Sequence, residues 1–163
     1  MKRHPSLHPL SQHHHFALIQ ALGMKRAAEA PADERVAAVE RQAEKFVRFW
    51  RKSGHIHFRE EEEVLLPAYA RHMRLDQDVE VMRILADHAE IRAAVRDFEE
   101  RLAAKKPIET AELAGLGKLL HDHVRLEENK VFPRIEKMLG EAQLNVLGRG
   151  LTRLHSKNDV CEI

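Results

Sequence analysis

The chain has 163 residues, a length that suits one domain with a sizeable hydrophobic core. Its formal net charge is +1 and its acids and bases are interspersed, which argues against nucleic-acid binding and against a membrane-surface helix. No apolar run approaches the roughly 20 residues that a membrane span needs. Aromatic residues make up only 5%, and the abundance of Ala, Leu, Glu, Arg and Lys favours helices over strands.

The single cysteine and the first residues bear on location. One cysteine, Cys161, excludes a disulfide framework and argues against a thiolate metal site. The opening residues MKRHPSLHPL contain no apolar signal-peptide core. We therefore expect a cytoplasmic protein.

The first half of the chain predicts two long amphipathic helices. The first runs from about Pro9 to Glu29. Asp33 is a suitable N-cap for the second, whose apolar face continues through an expected kink at Ser53-Gly54. Pro67 should distort or end that helix, because proline cannot donate a backbone hydrogen bond.

The second half predicts two more long helices and a short one. Asp76 or Asp78 can start the third, and Thr110 can cap the fourth, which Pro133 bends or closes. A short C-terminal helix follows over about 141–155. Short loops between long helices imply antiparallel neighbours. The expected fold is therefore all-α, an antiparallel up-down-up-down four-helix bundle in a single domain over 1–163, with its core over about 8–138.

A repeated motif is the most informative feature. HFREEEEVLLP begins at His57 and HVRLEENKVFP at His123, and five of their eleven positions are identical. In each copy a Glu, Glu61 or Glu127, stands four residues after the His. Residues i and i+4 share a helix face, so each pair can hold one metal ion or two adjacent ones. Two such pairs on facing helices form the core of a dinuclear site.

One His–Glu pair alone is commonly a surface feature, and the acidic run Glu60 to Glu63 would normally be solvated. Here the pair recurs with matching flanks, and each His lies on its helix's apolar stripe. Burying an ionised Glu without a partner costs several kcal/mol. Cations that neutralise both Glu side chains would remove that cost.

Two further helices carry inward histidines. His88 lies between Ile84 and Ile91 on the apolar face, although a lone inward His is more often a core residue bonded to a carbonyl. On the first helix, periodicity favours His14 and leaves His15 as the alternative.

Four neighbouring groups can support these side chains. In the His14 frame, His13 aligns with Asp87, and both can contact ligands from behind. Glu62 and Glu128 lie about 100° further round their helices and are expected behind the ligands or at the surface.

The candidate ligand set comprises four histidines and two glutamates: His14, His57, Glu61, His88, His123 and Glu127. Six protein ligands serve two metal ions if the carboxylates bridge, which leaves coordination positions open. Nitrogen and carboxylate ligands with open positions suit non-haem iron, and the same residue types accommodate manganese or zinc. A packed bundle interior admits little besides a small diatomic ligand or peroxide.

From about Leu10 to Glu136 the sequence resembles the hemerythrin-like, or HHE cation-binding, family. The resemblance is carried by LSQHHHFAL, HFREEEEVLLP, DHAEIR and HDHVRLEENKVFP. It implies a four-helix bundle around an oxo-bridged di-iron centre, with the six candidate ligands as its ligands. Family roles include oxygen binding, redox sensing, iron handling, and protection from nitrosative and oxidative damage.

The sequence departs from the oxygen-carrying members of that family. Those carry a second His four residues away on the third helix, where this chain has Ile84 and Arg92. Their fourth-helix acid is an Asp at +5, whereas Glu127 stands at +4. The pattern is closer to the four-His, two-Glu members, which include iron–sulfur-cluster repair proteins with an added cysteine-bearing domain.

The expected function is therefore a non-haem di-iron protein that binds or senses O2, NO or peroxide, in stress protection or iron homeostasis. The alternatives are an iron storage or delivery module and a helical interaction domain with a structural metal site. The sequence shows no nucleophile–base pair or phosphate loop, so enzymatic activity would be limited to weak redox chemistry at the metals.

Overall fold

The computed structural model describes residues 3–159, and within this range it contains helices and no strand. Its α-helices are α1 His8–Ala28, α2 Ala32–Phe49, α3 His55–Glu60, α4 Leu66–Tyr69, α5 Val79–Ala103, α6 Thr110–Leu126, α7 Phe132–Met138 and α8 Glu141–Asp159. Short 3-10 turns occupy Pro5–Leu7 and Leu75–Gln77. Cys161 lies outside the described residues.

Three π-helical turns join several of these helices into longer rods. Trp50–Gly54 links α2 to α3, Glu61–Leu65 links α3 to α4, and Glu127–Val131 links α6 to α7. The sequence predicted a kink at Ser53-Gly54, and the structure has the π-helical turn Trp50–Gly54 at this place. The other two stand just before the helical turns that contain Pro67 and Pro133. A wider turn accommodates proline, whose ring would clash with the carbonyl four residues earlier in a regular helix.

Together with α1 and α5, the joined helices α2–α4 and α6–α7 make four rods. The rods pack as antiparallel neighbours, which confirms the predicted bundle. α1 contacts α2 and α6, and α5 contacts α6 and α2. α1 and α6 lie close together at Gly117, where an added Cβ would lie 2.9 Å from Met24 Cβ and 3.2 Å from the Ala21 carbonyl oxygen. Glycine at this position lets the two backbones come together.

Two hydrophobic clusters fill the bundle. One contains Ala17, Phe46, Phe98 and Leu113 near the α1–α2 connection, among other residues. The other lies towards the opposite end and contains residues from both termini of the fold, including Leu10, Ile84, Phe132 and Leu147. On α1 and α5 the predicted ligands fall in sequence between the two clusters, and on the other two rods they lie where one cluster gives way to the other. A polar layer therefore separates two apolar ones.

α8 is longer than predicted, because it continues to Asp159, the last residue described. Leu144, Leu147 and Leu151 are buried on its inner face, whereas Leu154 is only partly buried. This helix packs on Pro5–Leu7 and on α3. No helix within residues 3–159 combines the length and apolarity that crossing a bilayer requires.

Two of the predicted helix caps are wrong. α2 begins at Ala32 after Pro31, so Asp33 lies in the first turn, where its charge still suits the helix dipole. α6 begins at Thr110 after Glu109, whose backbone N–H donates to Glu112. The structure selects Asp78 as the cap of α5.

Asp78 is the clearest metal-independent test of the fold. Its carboxylate accepts hydrogen bonds from the Val81 N–H at 3.2 Å, the Tyr69 hydroxyl at 2.9 Å and Arg134 at 2.6 Å. Burial opposes its charge, but these three partners outweigh burial and lower its pKa. Asp78→Ala is expected to cost about 3 kcal/mol of unfolding free energy, measured by urea denaturation at pH 7.

The control is Asp76→Ala, an exposed residue two positions earlier that pairs with Arg74. It should change stability by less than about 0.5 kcal/mol. Because the Asp78 pKa is lowered, its contribution is present above the ordinary aspartate range and is lost as pH falls below it. Equal stability of the two variants would contradict this role.

Candidate metal centre

The structure brings all six predicted ligand residues together in the polar layer. α1 supplies His14, α3 supplies His57, α5 supplies His88 and α6 supplies His123, while Glu61 and Glu127 open two of the π-helical turns. Each of the six residues is at most 5% exposed. His15 is exposed, so periodicity selected the correct inward histidine on α1. That the six bind metal remains a prediction.

The six side chains form two overlapping groups. His14 and His57 make the first with Glu61 and Glu127, and His88 and His123 make the second with the same two carboxylates. In each group the four candidate ligand atoms lie within 4.8 Å of one another. Each group could hold one ion, and the shared carboxylates would place the two ions side by side.

The distances show how Glu61 is shared. Its Oε1 lies 3.3 Å from His57 Nε2 and 3.6 Å from His14 Nε2, whereas its Oε2 lies 3.2 Å from His88 Nε2. The two oxygens therefore face different groups, as a bridging carboxylate requires.

Glu127 is shared through one oxygen. Its Oε2 lies 2.9 Å from His14 Nε2 and 3.3 Å from His123 Nε2. These two histidines belong to different groups. Glu127 is thus also in position to contact both ions.

The unpartnered atoms of these residues fit metal ions. The Nε2 atoms of the four histidines, both carboxylate oxygens of Glu61 and Oε2 of Glu127 are buried without a hydrogen-bond partner among the described residues. A buried polar atom that lacks a partner costs about 1–3 kcal/mol. Several such nitrogens and carboxylate oxygens that converge on one region are the donor set that transition-metal ions use.

Two of the histidines are held from behind by the acids that follow the ligand glutamates. His14 Nδ1 lies 2.6 Å from Glu128, and His88 Nδ1 lies 2.8 Å from Glu62. When Nδ1 carries the proton and donates it, Nε2 is left free to bind a cation. The sequence predicted that Glu62 and Glu128 lie behind the ligands or at the surface. The structure confirms the position behind the ligands.

Each supporting acid is itself paired with an arginine. Glu128 accepts a hydrogen bond from Arg3 at 2.6 Å, and Glu62 accepts two from Arg92 at 2.8 and 2.9 Å. Sequence reasoning did not assign either arginine, although Arg92 stands one helical turn after His88. No sequence signal marks Arg3, which precedes the first helix.

Asp87 and His13 occupy matching places behind the other two histidines. Asp87 Oδ2 is 3.7 Å from His123 Nδ1, and the ring centroid of His13 is 5.3 Å from that of His57. The alignment of His13 with Asp87 therefore corresponds to similar positions in space. Asp87 is also anchored by Arg83 at 2.6 Å.

When no cation is bound, protonated histidines compensate the negative charge of the buried glutamates. Burial disfavours the charged form of His88, but the nearby carboxylates of Glu61 and Glu62 outweigh burial and raise its pKa to about 9. Against burial, Glu127 and Glu128 likewise raise the pKa of His14 well above its usual value. Burial keeps the pKa of His57 well below its usual value. The layer therefore needs positive charge, from protons or from metal ions.

A helical bundle with paired His-x3-Glu elements defines a metal-binding α-helical protein. Residues 7–135 match the sequence model of the hemerythrin HHE cation binding domain, so the chain belongs to that family. The match covers nearly the stretch over which the sequence resemblance was expected. Comparisons with curated proteins and with solved structures gave no significant match.

The supporting acids lead to a measurable prediction. Glu128→Gln keeps the shape of the side chain but weakens its hold on His14, and it should reduce metal affinity roughly 10–100-fold. Glu141→Gln is the control, because this side chain is 78% exposed and belongs to α8. Competition with a calibrated chelator measures both affinities. Unchanged affinity in Glu128→Gln would show that the ring of His14 is fixed by other contacts.

Proposed function

We propose that this protein is a non-haem di-iron protein that binds or senses O2, NO or peroxide. The observation that carries the proposal is the pair of buried groups that share Glu61 and Glu127. His14 and His57 would hold one ion, and His88 and His123 the other. Four protein ligands for each ion leave positions open, and this mixture of nitrogen and carboxylate suits iron, with manganese or zinc as alternatives.

A small cavity beside the site supports a small ligand. Its volume is about 20 Å³, and its lining includes His14, His57 and His123 together with Ala17, Phe46 and Trp50. This space accommodates about one water-sized molecule. Apolar and aromatic walls favour an uncharged diatomic molecule over an ionic or organic substrate. Bound iron would supply the redox chemistry and the open positions, while these side chains exclude bulk water.

The test is metal analysis of protein purified without added metal, with the visible spectrum recorded on the same sample. We expect about two irons per chain and charge-transfer absorption in the near ultraviolet. That absorption should change on anaerobic reduction and again on exposure to O2 or NO. The variant with His57→Ala and His123→Ala should lose both the iron and the absorption.

The other outcomes distinguish the remaining functions. Zinc alone in well-folded protein would overturn the iron assignment and favour a structural site. Iron that leaves rapidly to a mild chelator, with a spectrum indifferent to O2, NO and peroxide, would favour storage or delivery.

A further inference from the structure

A second cluster of metal-ligating side chains lies next to the dinuclear site. It consists of His13 on α1, Glu60 at the end of α3 and His155 on α8. His155 Nδ1 lies 3.1 Å from Glu60 Oε1. One potential ligand atom from each of His13, Glu60 and His57 lies within 4.8 Å of the other two. The cluster therefore reaches His57, which is also a candidate ligand of the dinuclear site.

His13 in this cluster and His57 beside it are not fully satisfied by the surrounding protein. His13 Nδ1 and His57 Nδ1 are both buried without a hydrogen-bond partner among the described residues. Glu60 is only 3% exposed, so its carboxylate has little contact with water. A buried carboxylate beside unpartnered imidazole nitrogens is stabilised by a bound cation.

The cluster also connects the surface with the interior. The side chain of His155 is 45% exposed, whereas those of Glu60 and His57 are 4% and 7% exposed. The ring centroid of His13 lies 5.9 Å from that of His155 and 5.3 Å from that of His57. Potential ligands are thus spaced along a short line from solvent to the dinuclear site.

We propose that His13, Glu60 and His155 form a third cation site, for a divalent transition metal, through which metal ions reach the dinuclear site. Two imidazoles and one carboxylate are a common set for such an ion, with room for a water ligand. The third site is inferred only from the positions of its own residues. The transit role rests on the proposed dinuclear centre.

Cobalt(II) is a suitable probe, because its visible absorption reports bound metal directly. Metal-free protein is titrated with Co²⁺, the bound metal is counted after dialysis, and the rate of loading is followed by stopped-flow absorption. His155→Ala removes the exposed ligand, and Glu60→Gln removes the charge while it preserves the shape of the side chain.

The matched control is His121→Ala. The side chain of His121 is 50% exposed, and its Nδ1 lies 3.0 Å from the carboxylate of Asp122, much as His155 lies from Glu60. Circular dichroism of each metal-free variant establishes that it is folded.

We expect about three Co²⁺ per chain in the wild-type protein and in His121→Ala. Both His155→Ala and Glu60→Gln should retain about two and should load them roughly tenfold more slowly. Two equivalents in the wild type, or three in His155→Ala, would overturn the third site alone. Unchanged loading rates with a lost third equivalent would overturn the transit role, and no bound cobalt at all would overturn the dinuclear centre as well.

Discussion

Replacement of Glu61 by Ala is expected to empty both metal positions, from about two ions per chain to none. The reason is that Oε1 of this carboxylate faces His14 and His57, while Oε2 faces His88. One substitution therefore removes a ligand from each ion and also a negative charge that offsets both. Elemental analysis after loading and dialysis measures the loss.

Glu63→Ala is the matched control for Glu61→Ala. Glu63 lies in the same π-helical turn, but its side chain is 48% exposed and it pairs with Arg59. This variant should keep both ions. His88→Ala should weaken chiefly the ion of its own group. One tightly held ion in Glu61→Ala would show that the carboxylate is not shared.

Removal of the metal is expected to destabilise the protein more at pH 9 than at pH 6. In the metal-free protein the pKa of His88 is raised to about 9, so its protonated ring stabilises the fold below pH 6.5. That contribution, about 3 kcal/mol, is lost as pH rises through about 9. Metal ions need deprotonated nitrogens and replace the protons, so the loaded protein does not lose this stability.

Thermal unfolding of loaded and chelator-treated protein at the two pH values measures this effect. The difference in Tm between the two forms should grow by about 10 °C from pH 6 to pH 9. In His88→Ala the metal-free form should lose the part of this pH dependence that comes from His88 and keep the part that comes from His14, whose pKa is also raised. A Tm difference that is the same at both pH values would mean that the acids of the polar layer are neutralised in another way.

The sequence predicted the bundle because its helices obey one simple rule. Apolar residues recur at helical spacing along all four rods, and the connecting segments are too short for anything but antiparallel packing. Helix ends were predicted less well, since a cap depends on local hydrogen bonds. Thr110 and Asp33 are good capping types, yet Glu109 and Pro31 precede the helices.

The convergence of the six candidate ligand residues was predictable because periodicity and repetition are both properties of the chain. The helical periodicity of the apolar residues was enough to distinguish the inward His14 from the exposed His15. The cluster of His13, Glu60 and His155 could not be found this way. Glu60 belongs to an acidic run that looks solvated, and His155 comes from a distant helix. Only the packing of α8 against α3 brings them together.

The π-helical turns at Glu61 and Glu127 set a limit on how this chain can change in length. Each turn holds one more residue than a regular helical turn, and it begins with a candidate ligand glutamate and ends just before a helix that contains a proline. Deleting one residue from either turn would close it to a regular α-helical turn, in which the ring of Pro67 or Pro133 would clash with the carbonyl four residues earlier. In these two segments, a single-residue deletion would therefore do more harm than most substitutions.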